Sequence, residues 1–386
     1  MLNFFNKKRN KKVYVGLSGG VDSAVSAYLL KKDGYDVTGV FIKTWQPDYI
    51  ECTWKNDRLD AMRICAQLDI PFRTLDLEKE YKDNVIDYML SEYAKNNTPN
   101  PDIMCNKYIK FDGFLNYAKE NGAIIATGHY ANIKNNFLCI PKDINKDQTY
   151  FLYQIKKENL KDILFPLADL EKSEVRKIAT DNNLYVADKK ESMGICMLGD
   201  ISMKDFLIKE LNPKNGDVCN ETGEIIGTHD GVILYTIGER HGFNVIKKNN
   251  VDANFNNFLE SKKEINNSFL PYFVYKKDFE QNILYVTQNE NKIFESNKNN
   301  PEKIVTIKDV NCFVDLNKIY ENKIYTCMTK YRGEKYEIKL NITKSINDKD
   351  NSVQIKITPI AENFFAVSGQ SIVVYDKSAV ILGGIL

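Results

Sequence analysis

Histidine is almost missing from this chain: there are three in 386 residues, and none of the eight cysteines belongs to a Cys-x-x-Cys pair. Structural zinc sites and iron–sulfur clusters both draw on paired ligands of these types, so the sequence argues against either. The eight thiols (Cys52, Cys65, Cys105, Cys139, Cys196, Cys219, Cys312 and Cys327) are too sparse for a disulfide framework. They fit a reducing, cytoplasmic setting in which most are buried and inert. An excess of one charge is missing too. Basic residues number 53 and acidic ones 52, a formal net charge of +1. That balance excludes a uniformly basic nucleic-acid binder and still permits a local basic groove. No apolar run approaches the roughly 18 residues of a membrane span. The basic stretch Lys7, Lys8, Arg9, Lys11 and Lys12 has no apolar segment behind it and reads as a short tail, not a secretory signal.

What the chain does have is core-forming residues. Hydrophobic types make up 43 % and charged types 27 %, enough for globular domains with real interiors. At roughly 150 residues per domain the length suggests two or three. Through residue 127, apolar runs at 13–17, 37–42, 72–77 and 123–127 alternate with helical spacing at 18–32, 58–68, 81–93 and 109–120. Strands separated by helices predict an α/β fold: a parallel sheet with helices on both faces. The period changes later. Alternating residues at 336–342 and 353–357, with short apolar runs at 283–287, 304–307, 325–329, 372–375 and 380–382, predict a C-terminal antiparallel β-barrel. The expected domains are 1–211 (catalytic, nucleotide-binding), 212–272 (small and central) and 273–386 (the barrel). Residues 247–268 are polar, close to low complexity, and read as a mobile insertion in the central piece.

The densest chemistry lies after the first strand. Ser18-Gly19-Gly20-Val21-Asp22-Ser23 opens a helix, where backbone N–H groups converge and the helix dipole favours an anion. Two hydroxyls add donors, and Asp22 suits a Mg²⁺ held between phosphates. The string reads as a phosphate loop, against the plainer reading of a tight strand–helix turn capped by Asp22. A second stretch, Asn100-Pro101-Asp102-Ile103-Met104-Cys105, starts a helix behind two prolines. Asp102 and Cys105 lie three apart and share a face of its first turn, where the dipole favours a thiolate. Taken alone this fits a buried thiol with a capping aspartate equally well. A third stretch, Gly194-Ile195-Cys196, puts a thiol among small, flexible residues, and alone reads better as an ordinary loop.

Together these segments form an ordered pattern: the phosphate loop, Asn-Pro-Asp-x-x-Cys-Asn at 100–106, Thr-Gly-His-Tyr at 127–130, Lys-Asp-Gln at 146–148 and Gly-Ile-Cys at 194–196. Further matches lie at 231–242, 282–288 and 368–370. The chain resembles the bacterial tRNA-specific 2-thiouridylases of the N-type ATP pyrophosphatase superfamily over nearly its whole length.

The resemblance implies ATP, with Mg²⁺, contacted by Gly16, Leu17, Ser18, Gly19, Gly20, Val21, Asp22, Ser23, Ile42 and Gly128. It implies adenylation of the C2 oxygen of the wobble uridine, then displacement of AMP by sulfur. Cys196 would carry a persulfide from a sulfur-donor protein. Cys105 would be its partner thiol, leaving a Cys105–Cys196 disulfide, and Asp102 an acid/base. Asn100, Pro101 and Asp102 would touch a uracil flipped from its stack. His129, Lys146, Asp147, Gln148, Lys330, Tyr331 and Gln370 would contact tRNA, of the Lys, Glu and Gln types. Three departures stand out. Ile42 replaces a frequent Met, Ser368 a usual Pro, and Lys330 an Arg whose planar fork it lacks. Rival readings are an amide- or argininosuccinate-forming ligase of the same superfamily, an iron–sulfur tRNA thiolase, and an RNA-binding scaffold with a relic ATP loop. The first needs no cysteine pair; the last would bind tRNA without turning over ATP.

Overall fold

The computed structural model describes residues 11–50, 54–190, 201–245, 271–293, 304–321, 323–344, 353–361 and 364–386. Cys196 and the polar insertion at 247–268 lie outside the described residues. The chain divides into two compact units, one of 1–92, 97–205 and 304–386, the other of 93–96 and 206–303.

The first unit begins with alternating strands and helices: β1 (Lys12–Gly16), α1 (Val21–Lys32), β2 (Asp36–Lys43), α2 (Trp54–Gln67) and β3 (Phe72–Asp76). Two longer helical elements come next, α3 (78–94) and α4 (101–120), then β4 (Ile124–Ala126). Beyond them lie a hairpin of β5 (Asn132–Lys134) and β6 (Phe137–Cys139), α5 (Thr149–Leu152), β7 (Ile163–Leu164) and α6 (Lys172–Asp181). The sheet has the order β3-β2-β1-β4-β7, and every pair in it is parallel. Val13, Val15, Val25, Ala27, Ile64 and Val175 are buried at its centre, which is why these strands read as continuous apolar runs. β1 has β2 on one side and β4 on the other, so the chain after β1 emerges at the switch point where α/β sheets bind ligands.

Both long helices carry π-helical stretches, at Lys82–Ile86 in α3 and Cys105–Gly113 in α4. Helical spacing at 81–93 and 109–120 predicts the helices but not this wider turn, which often marks a functional site.

In the second unit β8 (Gly216–Cys219), β9 (Ile225–His229), β10 (Asn244–Val245), β11 (Phe273–Asp278) and β12 (Ile283–Thr287) form one sheet ordered β10-β9-β8-β12-β11. The strand predicted at 283–287 is therefore not part of the C-terminal barrel: β12 pairs in parallel with β8. The reason lies in Asn282. Its side-chain amide donates to the carbonyls of Lys214 (3.0 Å) and Asn215 (2.9 Å), before β8, and its Oδ1 accepts from the Val232 amide (3.1 Å), after β9.

The barrel belongs to the first unit. It is built from β13 (Val305–Cys312), β14 (Tyr325–Met328), β15 (Lys335–Lys344), β16 (Val353–Pro359), β17 (Ser371–Asp376) and β18 (Ala379–Ile385). Six antiparallel strands close through pairing of β13 with β18 around Ile307, Ile338, Leu340, Ile355, Ile357 and Val374. The alternation expected from the sequence is the inward face of these strands.

The barrel is joined to the catalytic sheet by hydrogen bonds. Asn135 and Asn136 both take positive φ (52° and 63°), the two-residue turn that makes β5 and β6 a tight hairpin. That hairpin continues the barrel sheet: β6 pairs with β18, and the Ile140 amide donates to the Ser378 carbonyl (2.8 Å). On another side the Tyr150 hydroxyl donates to the carbonyls of Ser371 (2.9 Å) and Thr329 (3.2 Å). The Tyr153 hydroxyl meets the Ser371 hydroxyl (2.9 Å), and the Asn311 amide donates to the carbonyls of Tyr153 and Ile155 (2.6 and 2.7 Å). Both tyrosine rings are buried, so each bond lost would strand a polar atom. Tyr150→Phe should cost about 1–2 kcal/mol. In denaturant it should shift a single cooperative transition of the first unit; a split transition, with the barrel melting separately, would contradict this arrangement.

Candidate active site

β1 ends at Gly16, and the turn to α1 is the loop 17–20. The Leu17 amide donates to the Val40 carbonyl (2.8 Å), carrying β1's pairing with β2 one residue further. Gly19 sits at φ 74°, and a Cβ there would stand 2.7 Å from the carbonyl oxygen of Asp57. Across the loop, a Cβ on Gly128 would lie 2.8 Å from the Ser23 amide nitrogen and 2.9 Å from the Asp22 carbonyl carbon. Two glycines thus let α2 and the end of β4 press directly on the loop backbone. Inside it the Ser18 amide donates to the Ser23 hydroxyl (3.3 Å), which donates to the Gly20 carbonyl (3.0 Å). Gly20 precedes α1 with extended φ/ψ and no side-chain cap. The helix start is thus left without a side-chain acceptor of its own, which suits an anion. Leu17 and Val21, which flank the loop, are buried, as is Ile42 in β2.

Asp22 is held by groups the sequence reading did not single out. The Lys172 ammonium lies 2.7 and 2.8 Å from its two carboxylate oxygens, and the Tyr130 hydroxyl donates to one of them (2.9 Å). Lys172 arrives from the start of α6, where its amide donates to Asp143 Oδ2 (2.9 Å). No local pattern shows this pair, because 150 residues separate the partners. The site fits Mg²⁺ in the way that ion prefers, with one hard carboxylate, water and phosphate oxygens. Asp22 would supply that carboxylate, and its side chain is 31 % exposed. Among the described residues no group of three or more His, Cys, Asp or Glu could form an all-protein metal cage.

The helix α4 begins as its sequence predicts. Asn100 is the N-cap, its Oδ1 accepting from the amides of Asp102 (3.1 Å) and Ile103 (3.3 Å), with Pro101 in the first turn. Cys105 comes next, fully buried, at the point where the π-helical stretch starts. Asn106 beside it is 4 % exposed; its amide donates to the Phe151 carbonyl (3.3 Å), while its Oδ1 is buried without a hydrogen-bond partner. That is an unmet acceptor next to the thiol.

His129 comes directly after the glycine that presses on the phosphate loop. Its Nδ1 lies 2.8 Å from the Thr127 hydroxyl and its Nε2 lies 3.5 Å from the Lys110 ammonium. An ammonium can only donate, so Nε2 accepts and the ring proton is on Nδ1. Burial first, and then the Lys110 charge, hold the imidazole well below its ordinary pKa, so it is neutral.

The expected tRNA-contacting residues fall into one region of the first unit. Arg332, in the turn after Lys330 and Tyr331, donates to the Asn145 carbonyl (3.3 Å). The Tyr331 ring packs on Phe151, 4.4 Å between centroids. The Thr98 amide donates to the Ser368 carbonyl (2.9 Å), placing the turn that carries Gln370 two residues before Asn100. Lys146 is partly exposed. Asp147 and Gln148 have evident work inside the protein. Asp147, raised above the usual carboxylate range by burial, accepts from the Thr149 amide and hydroxyl (2.9 and 2.7 Å). Gln148 exchanges hydrogen bonds with the Tyr130 backbone (2.9 and 3.0 Å).

A phosphate loop at the switch point of a parallel sheet, clamped by glycines and succeeded by a thiol-bearing helix in the same unit, defines an α/β nucleotide-loop enzyme. Comparison with known proteins is specific. A family model described as the tRNA methyl transferase HUP domain matches residues 11–200, and one described as the tRNA methyl transferase PRC-barrel domain matches residues 204–288. The tRNA-specific 2-thiouridylase MnmA of Francisella philomiragia is 39 % identical over 98 % of this chain and 99 % of its own length. That of Francisella tularensis subsp. novicida is 39 % identical over 98 % and 99 %. The chain belongs to the tRNA-specific 2-thiouridylase family and is an enzyme. A solved 4-thiouridine synthetase–RNA complex with bound ATP aligns at 18 % identity and a TM-score of 0.36, over 52 % of this chain and 50 % of that one.

Gly128→Ala should cut nucleotide affinity by at least about tenfold, because the new methyl group meets backbone and not a movable side chain. The measurement is ATP binding by calorimetry beside a melting curve. Unchanged affinity would show that the loop yields freely.

Proposed function

We propose that this enzyme replaces the C2 oxygen of the wobble uridine of tRNA with sulfur. The observation that best supports this is the pairing, in one unit, of the clamped phosphate loop with the Cys105 turn, joined through Thr127, Gly128 and His129. ATP occupies the loop 16–23, with Gly128 and Ile42 around the nucleotide. The uridine C2 oxygen attacks the α-phosphorus; the bond to pyrophosphate breaks and pyrophosphate leaves with its electron pair. The oxygen, a poor leaving group before, now departs as part of AMP when sulfur attacks C2. When Mg²⁺ is bound it offsets phosphate charge beside Asp22.

The sulfur reaches Cys196 as a persulfide from a donor protein. The Cys105 thiolate attacks the Cys196 sulfur, and the persulfide S–S bond breaks. The terminal sulfur leaves reduced, as hydrosulfide, and the two cysteines are left oxidised as a disulfide, which an external dithiol reopens. Asp102 shares the first turn with Cys105 and serves as acid/base. With Asn100 and Pro101 it meets the flipped uracil. His129, Lys146, Asp147, Gln148, Lys330, Tyr331 and Gln370 frame the tRNA, with Asp147 and Gln148 acting through the segment they hold in place. The tRNAs are those for Lys, Glu and Gln, and the setting is the cytoplasm. With a net charge of only +1, tRNA affinity comes from a local basic surface and falls as salt rises.

Unmodified tRNA with ATP, Mg²⁺ and a persulfide donor should gain about 16 Da on the wobble uridine, the oxygen-to-sulfur difference read by nucleoside mass spectrometry. Cys105→Ala and Cys196→Ser should each abolish the gain. ATP cleavage to AMP and pyrophosphate without any thiolated tRNA would favour the ligase reading instead.

A further inference from the structure

Lys110 has no part in the thiolation chemistry proposed for the site, yet its position is singular. It lies five residues after Cys105 inside the π-helical stretch Cys105–Gly113, a spacing of about one turn in that helix. Its ammonium contacts His129 Nε2 at 3.5 Å. His129 in turn is chain neighbour to Gly128, which packs on the Asp22–Ser23 backbone of the phosphate loop. The lysine therefore ties the thiol-bearing helix to the residue that follows Gly128, whose own backbone meets the phosphate loop.

The surroundings favour a working charge. The His129 ring packs against Phe111 (5.7 Å between centroids) and Phe165 (6.3 Å, edge-on), and Phe111 also meets Phe165 at 6.0 Å. These rings keep water from one side of the contact, where a charge acts over a shorter, less screened path. The imidazole is tied down by Thr127 on its other nitrogen, so it cannot take the lysine's proton and turn away without losing that bond. A neutral ring orients the ammonium without cancelling its charge at that contact.

We propose that Lys110, oriented by His129, is the cation that offsets the negative charge gathering on the phosphoryl group when the adenylated uridine forms and AMP leaves. This rests on the adenylation reading of the site. Lys110 keeps its proton throughout. The C2–O bond breaks with its electron pair going to AMP, and the lysine supplies electrostatic stabilisation only. His129 is then a positioning residue, and its place among the expected tRNA contacts derives from where it holds the lysine.

The test compares wild type, Lys110→Met and Lys110→Arg in single-turnover thiolation with tRNA, ATP, Mg²⁺ and free sulfide, together with ¹⁵N NMR of the histidine rings. The chain has only His129, His229 and His241, so the spectra are simple. Lys110→Met should slow the maximal rate about 100-fold with tRNA KM within about threefold, the pattern of an interaction made in the transition state. Lys110→Arg should recover at least about tenfold of that loss. In Lys110→Met the His129 proton should no longer be confined to Nδ1, while an unchanged thermal transition of the first unit reports an intact fold. A Lys110→Met rate near wild type, a defect confined to KM, or no recovery with arginine would each overturn the inference while leaving the thiolation reading standing. A wild-type enzyme that makes no 2-thiouridine would overturn both.

Discussion

The site depends on a contact between two stretches of backbone. Residue 128 lies so close to the Asp22–Ser23 peptide that only a glycine leaves room. This contact fixes the end of β4 against the start of α1, and the next residues along the chain inherit that placement. His129 points to the thiol-bearing helix through Lys110, and Tyr130 turns back to Asp22. Tyr130's backbone also holds Gln148, and so the segment beside Tyr331. The loop, the thiol-bearing helix and the surface expected to meet RNA are linked through a few covalent bonds and polar contacts of 2.8–3.5 Å. Such rigidity suits chemistry that needs reacting atoms held within a fraction of an ångström.

Much of this was legible in the sequence, for identifiable reasons. The strands at 13–17, 37–42, 72–77 and 123–127 are core strands of a parallel sheet, so composition alone reveals them. The loop 18–23 shows itself because strand, glycines and helix start must fall in a fixed order. Asn100 and Pro101 announce a helix start through local capping, and the helix is there. The missed features are long-range or atypical. Lys172 lies 150 residues from Asp22, and an exposed-looking lysine in a helix start gives no sign of such a partner. β7 is two residues long and carries no period. The strand at 283–287 looks like its barrel neighbours, and distant partners, β8 and the groups bonded to Asn282, decide which sheet takes it. A π-helical stretch keeps an apolar face much like an ordinary helix, so its wider turn stays hidden. Asp147 and Gln148 stand in a motif, but motifs do not say whether a side chain faces a ligand or holds the chain that does.

The barrel's place in the catalytic unit changes how the molecule should be regarded. A terminal barrel read from alternating strands suggests an appendage on a linker. Here Tyr150, Tyr153 and Asn311 form buried polar bonds across the junction, and the Thr98–Ser368 contact brings the turn before β17 to the entry of the thiol helix. Buried polar networks of this kind specify one arrangement, since any other leaves their atoms unpaired. The turn at 330–332 and the segment 145–148, both expected to face tRNA, are accordingly parts of a single surface.

The small Asn-Asn hairpin has a consequence for solution behaviour. β18 begins at Ala379, ahead of the stretch that β13 covers, and β6 pairs with that leading end. The open margin of the sheet is thereby handed to β5, only three residues long. Short outer strands make poor templates for a second chain, and barrel closure removes the other margin. Among the described residues the barrel sheet thus presents little for a neighbouring copy to zip onto, a protection of that sheet which the turn at Asn135 and Asn136 helps secure.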